Sequence, residues 1–174
     1  MSTWHQSDLS QLAPEAQWLE RAKELEALIS VDEPAVTALA NAAAFIWASL
    51  DRINWAGFYL FDGEKLVLGP FMGKPACTVI AMGKGVCGTA AEKRETIIVD
   101  DVHAFPGHIA CDDASQSEIV VPLIAEGRLI GVLDIDAPVK ARFDTVTAQG
   151  LRSLAEVVSE KLSSILKIEG RFRV

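Results

Sequence analysis

Residues 53–71 read INWAGFYLFDGEKLVLGPF, and this stretch decides the fold. Residues 53–61 are rich in aromatic and aliphatic side chains, Asp62-Gly63 is a tight-turn pair, and residues 65–71 form a second run of the same kind. Two such runs joined by Asp-Gly predict an antiparallel hairpin. Successive side chains alternate across a strand, so Trp55, Gly57, Tyr59 and Phe61 share one face and Ala56, Phe58 and Leu60 the other. The second set is core. Trp55 and Tyr59 carry polar tips, and either wall a small-molecule pocket or are half-buried sheet aromatics.

Downstream of the hairpin, residues 78–82 predict a short third strand. Gly83-Lys84-Gly85 punctuates, a short helix starts near Val86, and residues 96–99 are a compact β-branched run. Residues 119–124 and 129–135 predict a second hairpin around Glu126-Gly127. Upstream, Trp18, Ala22, Leu25 and Ile29 recur at helical spacing. A second helix is expected with Asp32 as N-cap and Pro34 in its first turn, its apolar stripe being Val36, Leu39, Ala43, Ile46 and Leu50. A last helix runs from about Asp144, with Leu151, Leu154, Val158, Leu162 and Ile165 along one side. This order predicts an α+β architecture: an antiparallel sheet of five or six strands with the N- and C-terminal helices packed on one face. Residues 100–117 carry neither period, as functional loops often do.

A chain of 174 residues suits a single domain over 1–174, with residues 1–10 expected to be loose. Its formal net charge of −8 repels phosphate backbones and anionic surfaces, so neither nucleic acid nor membrane is an expected partner. The start has no basic-then-apolar export pattern, and the expected location is the cytoplasm. A reducing cytosol keeps structural disulfides open, so the three cysteines point to redox chemistry, nucleophilic catalysis or metal binding, or else are small buried hydrophobes.

Cys77 follows Pro75-Ala76 at a strand start, Cys87 lies between glycines in Gly85-Val86-Cys87-Gly88, and Cys111 lies in the irregular segment. Placement in loops and at element ends favours active thiols over core filler. Paired ligands of the C-x₂₋₄-C type are absent, and His103 and His108 do not complete a structural zinc pattern, so no resident metal is expected. His108, three residues before Cys111, favours its thiolate, whereas Asp112 and Asp113 oppose it.

Carboxylates are the second informative group. Alternation along residues 128–136 puts Asp134 and Asp136 on the face of Ile130 and Val132. Two acids continuing an apolar face mark either a strand end reaching water or a pocket in which at least one pKa is raised. Glu118 on the partner strand joins that face if Ala125-Glu126-Gly127 is a three-residue loop with Gly127 left-handed, pairing Ile124 with Arg128. A two-residue loop would turn Glu118 away. The three-residue loop is preferred because Gly stands third, and it places Glu118 opposite Asp134.

The blocks Asn54-Trp55-Ala56-Gly57-Phe58-Tyr59, Leu68-Gly69-Pro70-Phe71, Gly83-Lys84-Gly85-Val86-Cys87-Gly88, Phe105-Pro106-Gly107-His108-Ile109-Ala110-Cys111-Asp112, Ser117-Glu118-Ile119-Val120-Val121-Pro122 and Gly131-Val132-Leu133-Asp134-Ile135-Asp136 closely resemble the free methionine-(R)-sulfoxide reductases, single-domain proteins of the GAF fold. The resemblance implies that Cys111 attacks the sulfoxide sulfur, that Cys87 is the main resolving cysteine and that Cys77 is auxiliary. It implies that Glu118, Asp134 and Asp136 bind and protonate the substrate in a pocket lined by Trp55 and Tyr59. It also implies a homodimer with no cofactor, recharged by an external dithiol of the thioredoxin type. The rival expectations are a ligand-binding sensor of the same fold and a zinc-stabilised interaction module.

Overall fold

The expected 53–71 hairpin forms, with a register shift between Gly57 and Tyr59, and the sheet is assembled around it. The computed structural model describes residues 7–107 and 112–170. Strands β1 (Trp55–Phe61) and β2 (Lys65–Gly73) pair antiparallel with Phe61 opposite Leu66, so the turn centres on Gly63-Glu64, one residue beyond the expected Asp62-Gly63, and Asp62 accepts from the backbone N–H groups of Glu64 and Lys65. Adding β3 (Val79–Ala81), β4 (Ile97–Val99), β5 (Ser117–Ala125) and β6 (Arg128–Ala137) gives a six-stranded antiparallel sheet in the order β3-β2-β1-β6-β5-β4. The expected strand count and layer arrangement hold.

Helices α1 (Pro14–Leu28), α2 (Ala35–Ser49) and α4 (Thr145–Ile168) cover one face. Their core takes Leu25, Leu39, Ile46, Leu151 and Leu154 from the helices and Ala56, Phe58, Ile119, Leu133 and Ile135 from the sheet. The opposite face carries a smaller cluster of Trp55, Tyr59, Val120 and Val132 beneath the short helix α3 (Gly85–Lys93). Alternation along β1 therefore sorts side chains as expected: even positions meet the long helices, odd positions meet α3. Among the described residues no helix is long and apolar enough to cross a membrane.

Three further local expectations are corrected. Asp32 does not cap α2. Pro34 occupies the N-cap position without a side-chain acceptor, and Glu169, just past α4, accepts the orphan N–H of Ala35 at 3.0 Å. Val36 is 63% exposed and Ala35 is buried in its place, while Leu39, Ala43 and Ile46 of the expected stripe are buried and joined by Ala38, Ala42 and Phe45. By contrast Asp144 does cap α4, accepting from Thr147 N at 2.8 Å.

The third correction concerns the β5–β6 hairpin, which sets the acids. Ala125 pairs with Arg128, so the loop has two residues, Glu126 and Gly127, with φ of 52° and 73°. That is the left-handed pair of a tight primed turn rather than the expected three-residue loop. A register shift then intervenes: Ile124 pairs with Leu129 but Leu123 with Gly131, leaving Ile130 as the extra residue of β6. Ile130 therefore drops into the helix-side core instead of sharing the face of Val132. The bulge restores the parity that the short loop would have lost. Glu118 ends opposite Asp136, and Val120 opposite Asp134, so all three acids still share one face.

Candidate active site

On the α3 side of the sheet a pocket opens whose lining includes Trp55, Tyr59, Cys87, Glu118, Asp134 and Asp136. Of the eight residues that sequence reasoning assigned to a site, these six converge. Cys77 is half-buried on the adjoining loop, and Cys111 lies outside the described residues, as does His108. His103 is exposed and takes no part in the pocket.

The aromatic wall is built by β1. The Trp55 ring stacks on Tyr59 at 5.9 Å between centroids and on Phe71 at 5.2 Å. The two rings are fully buried rather than half-buried sheet residues, and both line the cavity. Their polar tips hold the loop between β2 and β3. Trp55 Nε1 donates to the Lys74 carbonyl at 3.1 Å, and the Tyr59 hydroxyl donates to the Cys77 carbonyl at 3.0 Å. The chain bearing Cys77 is thus pinned beside the pocket by the residues that form its wall.

The acid floor is built by β5 and β6. Glu118 and Asp134 are buried, at 5% and 7% exposure. Burial pushes both carboxyls well up, and the neighbouring charge of Asp136 on Glu118, and of Glu118 on Asp134, pushes in the same direction. Asp136 is raised for the same reason, by burial first and then by Asp134 and Asp112. Like charges this close in a poorly hydrated site do not all ionise at neutral pH, so the group holds at least one proton that it can deliver. Asp134 Oδ1 is buried and has no hydrogen-bond partner among the described residues. A buried orphan acceptor beside charged neighbours is a place for a cationic ligand group.

Cys87 stands in the first turn of α3, 4% exposed, its Sγ 4.0 Å from Glu118 Oε1. A helix N-terminus favours a thiolate by only about 0.3–1 kcal/mol, less than one pKa unit. Burial and the charges of Asp134 and Glu118 outweigh that and drive the thiol well above its usual range. Cys87 is a protonated thiol at neutral pH. Its Sγ and one oxygen each of Glu118 and Asp134 lie within 4.8 Å of one another, the one grouping of metal-ligand type among the described residues.

Sequence reasoning missed the clamp at the pocket rim. Asp112 accepts from Ala114 N at 3.0 Å, from Lys74 Nζ at 3.0 Å and from Asn54 Nδ2 at 3.2 Å, and Asn54 also donates to Ser115 Oγ at 2.9 Å. The backbone N–H of Ala114, then Lys74, hold the Asp112 carboxyl below its ordinary range. Asp112 is therefore an ionised and neutralised anchor. The signal was present in Asn54 and Asp112, but their 58-residue separation hides the contact from any local pattern.

A GAF-domain family profile matches residues 32–163. The chain is 50% identical over 143 residues to protein YtsP of Bacillus subtilis, covering 81% of this chain and 88% of that protein. It is 47% identical over 142 residues to the free methionine-R-sulfoxide reductase of Escherichia coli, covering 82% and 86%. Among solved structures, the free methionine-R-sulfoxide reductase of Neisseria meningitidis in complex with its substrate superposes with a TM-score of 0.85 at 40% identity, covering 97% of this chain and 99% of that one.

Proposed function

Because this chain belongs to the free methionine-R-sulfoxide reductase family of GAF-domain proteins, we propose that it reduces free methionine-(R)-sulfoxide to methionine by thiol chemistry. The observation that carries this reading is the buried acid floor, with its orphan Asp134 oxygen, beside an aromatic wall. A free amino acid has an α-ammonium group, which peptide-bound methionine lacks. An ionised carboxylate at Asp134 or Asp136 binds it, and that requirement selects the free substrate.

Sulfoxide oxygen leaves only when protonated, so the reaction needs a thiolate together with a carboxyl whose pKa has been raised. Cys111 attacks sulfur while one of Glu118, Asp134 and Asp136 supplies the proton. The S–O bond of the substrate breaks as its hydroxyl passes to Cys111 Sγ, the transient bond between the two sulfurs is released, methionine departs as the thioether, and Cys111 is left as a sulfenic acid. A second thiol condenses with that sulfenic acid, releasing water and leaving a disulfide for an external dithiol to reduce. Cys87 is the resolving thiol that the family resemblance implies. Its raised pKa means that it must first pass its proton to a neighbouring carboxylate. The more open position of Cys77 supports a larger share for that residue than an auxiliary one. The same reading carries a homodimer in the cytoplasm and a thioredoxin-type reductant.

Turnover of the separate R and S epimers with a dithiol reductant tests the proposal. Consumption of R alone, abolished by Cys111→Ser, is the expected result. A folded protein that turns over neither epimer would overturn it.

A further inference from the structure

We propose that Cys87, Glu118 and Asp134 form an exchangeable site for Zn²⁺, and that an ion bound there excludes the substrate from the pocket. One sulfur and two carboxylate oxygens come from three different elements, α3, β5 and β6, and meet within 4.8 Å of one another. Tetrahedral zinc, with Zn–S of about 2.3 Å and Zn–O of about 2.0–2.2 Å, brings such ligands to roughly 3.3–3.7 Å apart. Side-chain rotations of about 1 Å close that gap. The second observation is the orphan Asp134 Oδ1, which lies in a buried side chain and meets no donor among the described residues.

An ammonium group would satisfy that oxygen, but it has no use for the sulfur beside it. A thiol among carboxylates is the donor set that a borderline-soft divalent ion prefers over Mg²⁺ or Ca²⁺. Three protein ligands leave a fourth position for water, as in open zinc sites, so the ion exchanges rather than serving as a structural staple. Its double positive charge also relieves the repulsion that Glu118, Asp134 and Asp136 impose on one another.

Binding must displace the Cys87 proton, together with any proton shared by the two carboxyls, and both leave for solvent. The charged groups facing Cys87 are Glu118 on β5, Asp134 and Asp136 on β6, and Lys84 at the start of α3, with Lys74 and Asp112 at the rim. Affinity therefore rises with pH, by about tenfold per unit for each proton released. Cys87 in a disulfide has no thiolate to give, so the site exists only in the reduced protein. The site stands on this geometry alone; only the effect of the ion on turnover rests on the proposed reaction.

Co²⁺ titration of the reduced, metal-free protein tests the site, because a cobalt–thiolate bond gives a charge-transfer absorption. The Cys77→Ser/Cys111→Ser double variant keeps Cys87 as its only thiol. It is expected to bind one equivalent of Co²⁺ with that absorption, to lose it to Zn²⁺, and to lose it when Cys87→Ser is added. No thiolate absorption in the double variant, or its persistence after Cys87→Ser, would overturn the site. If the Cys87→Ser protein does not fold, Asp134→Asn in the double variant decides: affinity should fall at least tenfold, and unchanged affinity rejects the site. Free methionine-(R)-sulfoxide should displace Co²⁺, and simultaneous binding of both would refute the exclusion. Failure of the metal-free protein to turn over methionine sulfoxide is a separate outcome that rejects the proposed reaction and leaves the metal titration standing.

Discussion

Glu118 on β5 lies directly opposite Asp136 on β6, an acid facing an acid across one rung of the ladder. Directly opposed like charges destabilise a sheet. Asp134 continues the same face two residues away, so the sheet carries an unfavourable charge arrangement in the lining of the pocket. A protein under selection for stability alone would place apolar side chains there.

Asp134→Asn should separate function from stability. Losing a charged hydrogen bond to the substrate ammonium costs about 1.5–3 kcal/mol, so KM for free methionine-(R)-sulfoxide should rise roughly tenfold to a hundredfold. Relief of the repulsion should raise the melting temperature of the unliganded protein. Steady-state kinetics and a thermal melt on one preparation check both, and an unchanged KM would remove Asp134 from substrate binding.

The acid floor also predicts how stability changes with pH. Glu118, Asp134 and Asp136 all have folded-state pKa values raised above their ordinary ones, so the folded protein holds protons that the unfolded chain has released. Their contribution to stability is fully present below the ordinary carboxylate range and is lost as pH rises through the raised values. Unfolding in denaturant should therefore show lower stability at about pH 8 than at about pH 5 from these groups. Asp134→Asn should flatten that slope, and an unchanged slope would mean that these carboxyls ionise normally.

The rim clamp predicts a kinetic defect. Asp112 is bonded in the chain to Cys111, and Lys74 and Asn54 hold its carboxylate. Freeing that anchor by Asp112→Ala should lower kcat on the order of tenfold to a hundredfold, as misplacement of a reacting group does. Lys74→Arg should retain most activity and Lys74→Met should not. Equal activity in all three variants would show that the anchor does not position the nucleophile.

Gly131 adjoins Ile130, the extra residue of the bulge that places the acids. A Cβ there would sit 2.2 Å from the Tyr59 carbonyl oxygen on the neighbouring strand β1. Gly131→Ala should cost about 1–3 kcal/mol through overpacking and backbone shift. Chemical denaturation measures that cost, and a neutral substitution would show that the strands have room to separate.

The alternation of residues 55–61 determined by itself which aromatics of β1 face the pocket, because period two sorts the side chains of one strand whatever the register of its partner. The same reasoning placed three acids on one face but reached that result through a loop of the wrong length. Turn and bulge each shift parity by one, and only their sum is visible in the pattern of buried side chains. Of the expected α2 stripe only Val36 faces outward, its place taken by Ala35, because small side chains at the start of a helix leave its apolar edge undetermined until a neighbour is packed against it. Capping of Ala35 by Glu169 and anchoring of Asp112 by Asn54 and Lys74 were beyond local reading altogether. They join residues far apart in the chain, and their strength depends on burial and distance, which come into being only when the layers assemble. Which residues could do chemistry was written in the order of amino acids; their pKa values and partners were decided by the packing of α3 and the rim over the sheet.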